Sequence, residues 1–264
     1  MINRSYLFVP GNRPERFDKA CASGAHVVVL DLEDAVSPDM KSQARGHVET
    51  WLRDGGQAYV RINSTDTEWF DDDCELFSVA GIRGVMLPKA DSRAQVEAVA
   101  SRLPQNIPLI ALIESATGLC NALDIARVEG VQRLAFGSVD YQVDTGIEGD
   151  AQELLYTRSK LVIESRAAGI ESPIDGVTLA VKDTAAVARD VESSKRVGMG
   201  GKLCIHPAQV EPVNLGFLPS ESDVTWAHEV IAALDAQPNG VATFKGKIID
   251  KPVIERARRI VASV

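Results

Sequence analysis

The chain has 264 residues, with 28 basic against 37 acidic side chains, a formal charge of −9, 45% apolar residues and 25% charged ones. That length and balance describe a globular protein with a large core, and they exclude disorder, collagen-like repeats and a membrane span. The acidic surplus argues against a nucleic-acid footprint, which needs clustered Lys and Arg, and leaves only a local basic pocket for phosphate.

The first residues, Met1 to Pro10, lack the hydrophobic length and small-residue cleavage site of a signal peptide, so a cytoplasmic protein is expected. From there, short runs rich in Val, Ile and Leu alternate with amphipathic stretches, the pattern of parallel strands covered by helices. Strands are predicted at Tyr6–Pro10, His26–Leu32, Ala58–Asn63, Gly84–Pro88, Leu109–Glu114, Arg133–Gly137, Pro173–Val177 and Lys202–His206. Pro14 opens the first helix. Asp91 and Ser92 precede another that runs through Val96 and Val99 and is stopped by Pro104 and Pro108. Leu154, Leu155, Leu161 and Val162 predict a long amphipathic helix over 150–168. Eight units of about 28 residues, each the size of a strand–helix–strand repeat, predict an α/β fold, the (β/α)₈ TIM barrel, with a doubly wound sheet as the alternative.

After Gly216 the rhythm breaks. Residues 1–216 are read as the barrel domain and 217–264 as a C-terminal helical extension. The extension is expected to hold a helix from about Ser222 to Asp235, a turn at Gln237-Pro238-Asn239-Gly240 and a last helix from Pro252. It has little core of its own, so it should dock on the barrel or on a neighbouring subunit. Cys21, Cys74, Cys120 and Cys204 form no Cys-x-x-Cys pair and are expected to be buried thiols. No Gly-x-Gly-x-x-Gly turn, Walker loop or Gly-x-Ser-x-Gly elbow is present.

Active sites of such barrels lie at the carboxyl ends of the strands, so polar residues that follow the apolar runs are the candidates. These are Asp31, Glu33 and Asp34 after the second strand, Arg61 and Asn63 at the third, Lys89 at the fourth, Glu114 at the fifth, Asp140 after the sixth and His206 at the eighth. So many carboxylates on one rim need cations, because like charges raise one another's pKa. Glu114 and Asp140, on adjacent strands, are the best pair of metal ligands, and oxygen donors suit Mg²⁺, with Mn²⁺ also possible. Each of them alone reads equally as a helix cap. The planar fork of Arg61 suits a substrate carboxylate, with a salt bridge to Asp31 or Glu33 as the structural alternative. Lys89 is a weak candidate for a Schiff base, since nearby carboxylates oppose the low pKa it would need. His206 reads as a hydrogen-bonding wall.

The string from Arg4 to Arg16, Arg-Ser-Tyr-Leu-Phe-Val-Pro-Gly-Asn-Arg-Pro-Glu-Arg, followed by Leu30-Asp31-Leu32-Glu33-Asp34-Ala35-Val36, resembles the citrate lyase beta-subunit-like proteins of the HpcH/HpaI aldolase superfamily. Further matches are Val60-Arg61-Ile62-Asn63, Met86-Leu87-Pro88-Lys89, Leu112-Ile113-Glu114-Ser115-Ala116, Phe136-Gly137-Ser138-Val139-Asp140-Tyr141, Gly201-Lys202-Leu203-Cys204-Ile205-His206-Pro207 and Ile249-Asp250-Lys251-Pro252. The resemblance implies a Mg²⁺-dependent carbon–carbon lyase that cleaves or forms a 3-hydroxyacyl-CoA, such as citramalyl-, malyl- or citryl-CoA, giving an acyl-CoA and a 2-oxo acid. It implies Glu114 and Asp140 at the metal, Arg61 and Glu114 at the substrate, Asp250 as acid or base, and Phe8 and Lys19 at coenzyme A. It also implies a homo-oligomer, with a trimer favoured. The loop from Asn12 to Arg16 and the shorter tail depart from the complex-forming citrate lyase subunits, which weighs against a citryl thioester and a carrier-protein partner. Two other readings are a metal-dependent aldolase on free 2-oxo acids, whose Gly-Glu-His-Gly-like motif is missing here, and a noncatalytic acyl-thioester-binding protein.

Overall fold

Eight apolar runs close into a parallel barrel in chain order: β1 (Ser5–Pro10), β2 (Val27–Asp31), β3 (Ala58–Arg61), β4 (Ile82–Leu87), β5 (Leu109–Ile113), β6 (Val131–Phe136), β7 (Ile174–Asp175) and β8 (Gly201–Cys204). Closure comes from β1, which pairs with both β2 and β8. This computed structural model describes residues 2–236, 243–245 and 247–263. The predicted turn at Gln237-Pro238-Asn239-Gly240 lies outside the described residues.

Alternate residues of the strands fill the barrel interior, which is built from Tyr6, Val27, Val29, Tyr59, Met86, Ile110, Leu112, Ala135, Ile174 and Leu203. Burying each of the large aliphatic ones contributes about 1.5–3 kcal/mol. At the amino ends of the strands Arg133, only 1% exposed, faces Glu171 Oε2 at 3.8 Å and is hydrogen-bonded by dipoles. It donates to the Ser172 carbonyl (2.7 Å), the Asn3 carbonyl (2.8 Å) and the Tyr6 hydroxyl (2.9 Å). This end is a satisfied, dry plug, and the open chemistry lies at the other end.

The covering helices are α1 (Phe17–Cys21), α2 (Lys41–Arg53), α3 (Phe70–Cys74), α4 (Arg93–Ala100), α5 (Ala116–Cys120), α6 (Ala122–Ala126), α7 (Ser138–Thr145), α8 (Leu155–Ala168), α9 (Thr184–Val197) and α10 (Val210–Gly216). Ser92 begins α4 with a capping box: its hydroxyl accepts from Gln95 N–H, and the Gln95 side chain accepts from Ser92 N–H. Val96 and Val99 form the buried face of this helix.

Three local expectations need correction. The long helix starts at Leu155 rather than near Asp150, because the Asp150 carbonyl and carboxylate fold back onto Arg158, at 2.7 and 2.6 Å. Its buried face is Thr157, Arg158, Leu161 and Ser165, with Leu154 buried just before it and Val162 half-buried; of the residues that predicted the helix only Leu155 is exposed. Second, only Cys204 is a buried thiol. Cys21 and Cys120, the last residues of α1 and α5, face solvent and Cys74 is half-buried, because a single short residue at a helix end carries no periodic signal of which way it points. Third, neither Glu114 nor Asp140 is a helix cap: Ser115 caps α5, and Asp140 lies inside the first turn of α7.

The chain divides into one unit of residues 3–214 and another of residues 1–2 with 215–264. In the second unit α11 (Glu221–Asp235) and α12 (Lys251–Val261) share a small core of Ala227, Val230, Ile249 and Ala257, and the Arg256 guanidinium stands 4.7 Å from the Trp226 ring centre. Ser220 caps α11 and Asp250 caps α12.

Candidate active site

Parallel register places the candidate residues of neighbouring strands side by side. Asp31 is paired with Arg61 across β2 and β3, and Ile113 with Phe136 across β5 and β6, so Glu114 and Gly137 follow at the same level. A cavity of about 360 Å³ opens there, walled by Phe8, Asp31, Arg61, Glu114 and Asp140 and, on its apolar side, by Leu112, Phe136, Val177 and Leu203. Of the residues singled out in sequence, Phe8, Arg61, Glu114 and Asp140 are therefore brought together.

Arg61 is clamped. Its Nε and Nη2 donate to the two carboxylate oxygens of Asp31 at 2.7 and 2.6 Å, Nη1 is 3.0 Å from Glu33 Oε2, and the Phe8 ring centre is 4.7 Å from the guanidinium carbon. The salt bridge, the lesser expectation for Arg61, is thus present. Two of the five N–H donors are used in hydrogen bonds, both to Asp31, which leaves one on Nη2 and the pair on Nη1, the nitrogen that is ion-paired with Glu33. Burial lowers the pKa of Arg61, but Asp31, Glu33 and Glu114 outweigh it, so the group stays charged. Asp31 is itself held by Glu33 N–H (2.9 Å) and Ala35 N–H (3.2 Å).

The rim carboxylates are thus not all in need of a metal. Asp31 and Glu33 are answered by Arg61 and Lys89, whose Nζ is 2.5 Å from Glu33 Oε1. Burial pushes the Lys89 ammonium toward neutrality, yet hydrogen bonding to Glu33 and the charges of Glu33, Asp34 and Glu114 hold it protonated, contrary to the needs of a Schiff base. A further buried amine, Lys41, donates to the Leu32 and Glu33 carbonyls at 2.8 Å each, a contact that sequence spacing does not announce.

Glu114 is different. It is 4% exposed, and one carboxylate oxygen accepts from Lys89 N–H at 2.6 Å. Burial first, then the charges of Glu33 and Asp140, push its pKa up to about 8, against the opposing pull of Lys89 N–H and Arg61. Gly137 is obligatory beside it, since a Cβ at that position would lie 2.5 Å from Glu114 Oε2. Among the described residues no group of three or more His, Cys, Asp or Glu is arranged as a metal cage. Two carboxylates on one wall, one of them buried at an energetic cost that a cation would remove, are nevertheless the hard-oxygen donors that Mg²⁺ takes when it keeps most of its coordination sphere for water and substrate.

Lys19 is exposed on α1 and walls a second cavity of about 530 Å³ with Phe8, Arg16, Ile205 and His206. Phe8 and Ile205 belong to both cavities. His206 caps the turn that follows, its Nδ1 accepting from Ala208 N–H at 3.1 Å. Asp250 belongs to the other unit, exposed at the start of α12, where its carboxylate caps the helix by accepting from Val253 N–H at 3.2 Å.

Residues 4–207 match the family model of the HpcH/HpaI aldolase/citrate lyase proteins. A (3S)-malyl-CoA thioesterase of Cereibacter sphaeroides is 34% identical over 98% of this chain and 93% of its own length. An L-malyl-CoA/beta-methylmalyl-CoA lyase of the same organism is 35% identical over 98% and 93%. Among solved structures, protein CitE of Mycobacterium tuberculosis in complex with magnesium, acetoacetate and coenzyme A superposes with a TM-score of 0.83 and 32% identity over 99% of this chain and 98% of that one.

Proposed function

Since the chain belongs to the HpcH/HpaI aldolase/citrate lyase family and is a carbon–carbon lyase, we propose that it uses Mg²⁺ to cleave, or in reverse to form, a 3-hydroxyacyl-CoA of the malyl, citramalyl or citryl type, releasing acetyl-CoA or another acyl-CoA and a 2-oxo acid. The observation that carries this reading is the opposition, in one cavity, of a clamped Arg61 and a buried Glu114 whose charge has no cation of its own, with Asp140 beside it. Mg²⁺ (or Mn²⁺) held by Glu114 and Asp140 would supply positive charge to the oxygens of the oxo-acid half.

The remaining work falls to the chain's own groups. Arg61 presents its unused N–H donors to the substrate carboxylate, and Asp31 and Phe8 keep its plane fixed so that no reorganisation is needed as charge develops. Leu112, Phe136, Val177 and Leu203 keep water from the thioester enolate that receives the electron pair of the breaking carbon–carbon bond. Phe8 and Lys19, in the adjoining cavity, hold the coenzyme A portion. Asp250 takes or gives the proton, and we assign it to the site of a neighbouring copy in a homo-oligomer, a trimer, onto which the C-terminal extension docks. Its exposed carboxylate at a helix start and the match of Ile249-Asp250-Lys251-Pro252 to the family support this.

The direct test is metal-dependent release of acetyl-CoA from malyl-, citramalyl- and citryl-CoA, set against cleavage of free 4-hydroxy-2-oxo acids. Turnover of an acyl-CoA that stops on chelation is expected; turnover confined to free oxo acids, or binding without turnover, would overturn it. For Asp250, mixed oligomers of the inactive Asp250→Ala and Arg61→Ala proteins should regain part of the activity. No recovery in verified mixed oligomers removes the cross-subunit assignment, and an active Asp250→Ala protein removes the proton-transfer role.

A further inference from the structure

Lys89 is one of two non-glycine residues with positive φ among the described residues, at +49°. Glycine or asparagine is the usual occupant of that left-handed region, so a lysine there holds backbone strain that its surroundings must enforce. They do so on both flanks: Pro88 precedes it, and the next residue, fully buried Ala90, donates its N–H to the Leu112 carbonyl on β5 at 3.1 Å.

The strained turn sends the two ends of one residue in different directions. The Lys89 N–H meets Glu114 Oε1 at 2.6 Å, while Nζ reaches Glu33 Oε1 at 2.5 Å and stands 3.7 Å from Asp34. Glu33 Oε2 in turn faces Arg61 Nη1 at 3.0 Å. A continuous chain therefore runs Arg61, Glu33, Lys89, Glu114, joining the arginine wall of the cavity to its carboxylate wall, and Lys89 is the link common to both.

We infer that Lys89 is a positioning residue for both halves of the site: its backbone N–H orients the Glu114 carboxylate toward the metal, and its ammonium holds Glu33 so that Arg61 is drawn neither away from Asp31 nor out of reach of the substrate carboxylate. This rests on the proposed Mg²⁺-dependent lyase. Because the two roles belong to different atoms, they separate on substitution. Asparagine tolerates the left-handed turn and keeps the N–H aimed at Glu114, but lacks the ammonium; β-branched valine also lacks the ammonium and resists the turn, so its N–H is turned away from Glu114.

The experiment measures Mg²⁺ affinity calorimetrically with the metal alone. It also measures steady-state condensation of acetyl-CoA with whichever of glyoxylate, pyruvate and oxaloacetate the parent protein uses fastest, with thermal unfolding as a check on folding. Lys89→Asn should raise KM for the oxo acid about tenfold while Mg²⁺ affinity stays within about twofold; Lys89→Val should also weaken Mg²⁺ about tenfold; Lys89→Arg should recover most of the oxo-acid KM. Unchanged KM and kcat in Lys89→Asn, or unchanged Mg²⁺ affinity in a folded Lys89→Val, would overturn the assignment. If the valine protein does not fold, the asparagine protein alone decides. A parent protein that neither binds Mg²⁺ nor turns over acyl-CoA overturns the functional reading, and the role of Lys89 with it.

Discussion

Glu114 and Asp175 stand at the same end of the same barrel, both almost wholly buried, and their carboxyl groups are pushed in opposite directions. Burial raises both. At Asp175 the rise is overcome by Lys202 at 3.8 Å, by Arg158 Nε at 2.8 Å and by the Ser194 hydroxyl, so the group lies below the usual carboxylate range. At Glu114 the neighbours include two further carboxylates, and the group lies near 8. Burial of a carboxylate is thus no indicator of function by itself. The indicator is a buried carboxylate that the fold has left without a matching cation, because that deficit is available to a ligand.

The strongest way to break this contrast is to remove the carboxylate that awaits a ligand. Glu114→Ala and Asp140→Ala should each lower lyase turnover by at least about 10³-fold, the loss of several kcal/mol of charge stabilisation, and leave the far-ultraviolet circular dichroism of the barrel unchanged. Turnover near the parent level would refute the metal assignment. Asp175→Asn should do the converse, destabilising the fold by about 3–5 kcal/mol in urea unfolding, because it leaves the buried Lys202 ammonium without a carboxylate and takes from Arg158 its buried partner, leaving only Asp150.

Arg61→Lys sharpens the comparison on the opposite wall. An ammonium cannot reproduce the two parallel hydrogen bonds to Asp31 and still face substrate, so kcat/KM should fall about 10- to 100-fold, corresponding to about 1.5–3 kcal/mol for a charged hydrogen bond. Gly137→Ala places a methyl group against Glu114 and should cost about 1–3 kcal/mol of stability while weakening Mg²⁺ binding.

The smallest effect is on pH. The folded-state pKa of Asp175 is depressed, so its ionised form stabilises the protein above the unfolded value of about 3.9, and that contribution is lost as pH falls through the folded value. Unfolding midpoints measured downward from pH 5 should therefore drop more steeply for the parent than for Asp175→Asn.

The barrel was legible because eight apolar runs at nearly even spacing leave few other closures. Arg61, Glu114 and Asp140 were legible because each ends or closely follows such a run at the rim-facing end, whereas Phe8 was named only through the family resemblance. The sequence offers Asp31 or Glu33 as the salt-bridge partner of Arg61, and register between β2 and β3 brings it both; what the chain did not disclose is the two ends of Lys89, which depend on a left-handed turn that no lysine advertises. β7 was read as five residues and has two, since Pro173 offers no N–H to a ladder and the chain past Asp175 turns away from pairing. α9 was not read at all, although Asp183 caps it by accepting from Ala186 N–H, Val187, Val191 and Ser194 mark a buried stripe at helical spacing, and Gly198 ends it in the left-handed conformation.

Phe8 belongs to the walls of two cavities and carries Arg61 on its face. Under the proposed function, with the coenzyme in one cavity and the oxo acid in the other, one aromatic ring would be the partition that the two substrate halves share. A tilt of the ring on binding either half would then be felt on its other face, and by thermodynamic reciprocity the factor by which either ligand tightens the other would be the same in both directions.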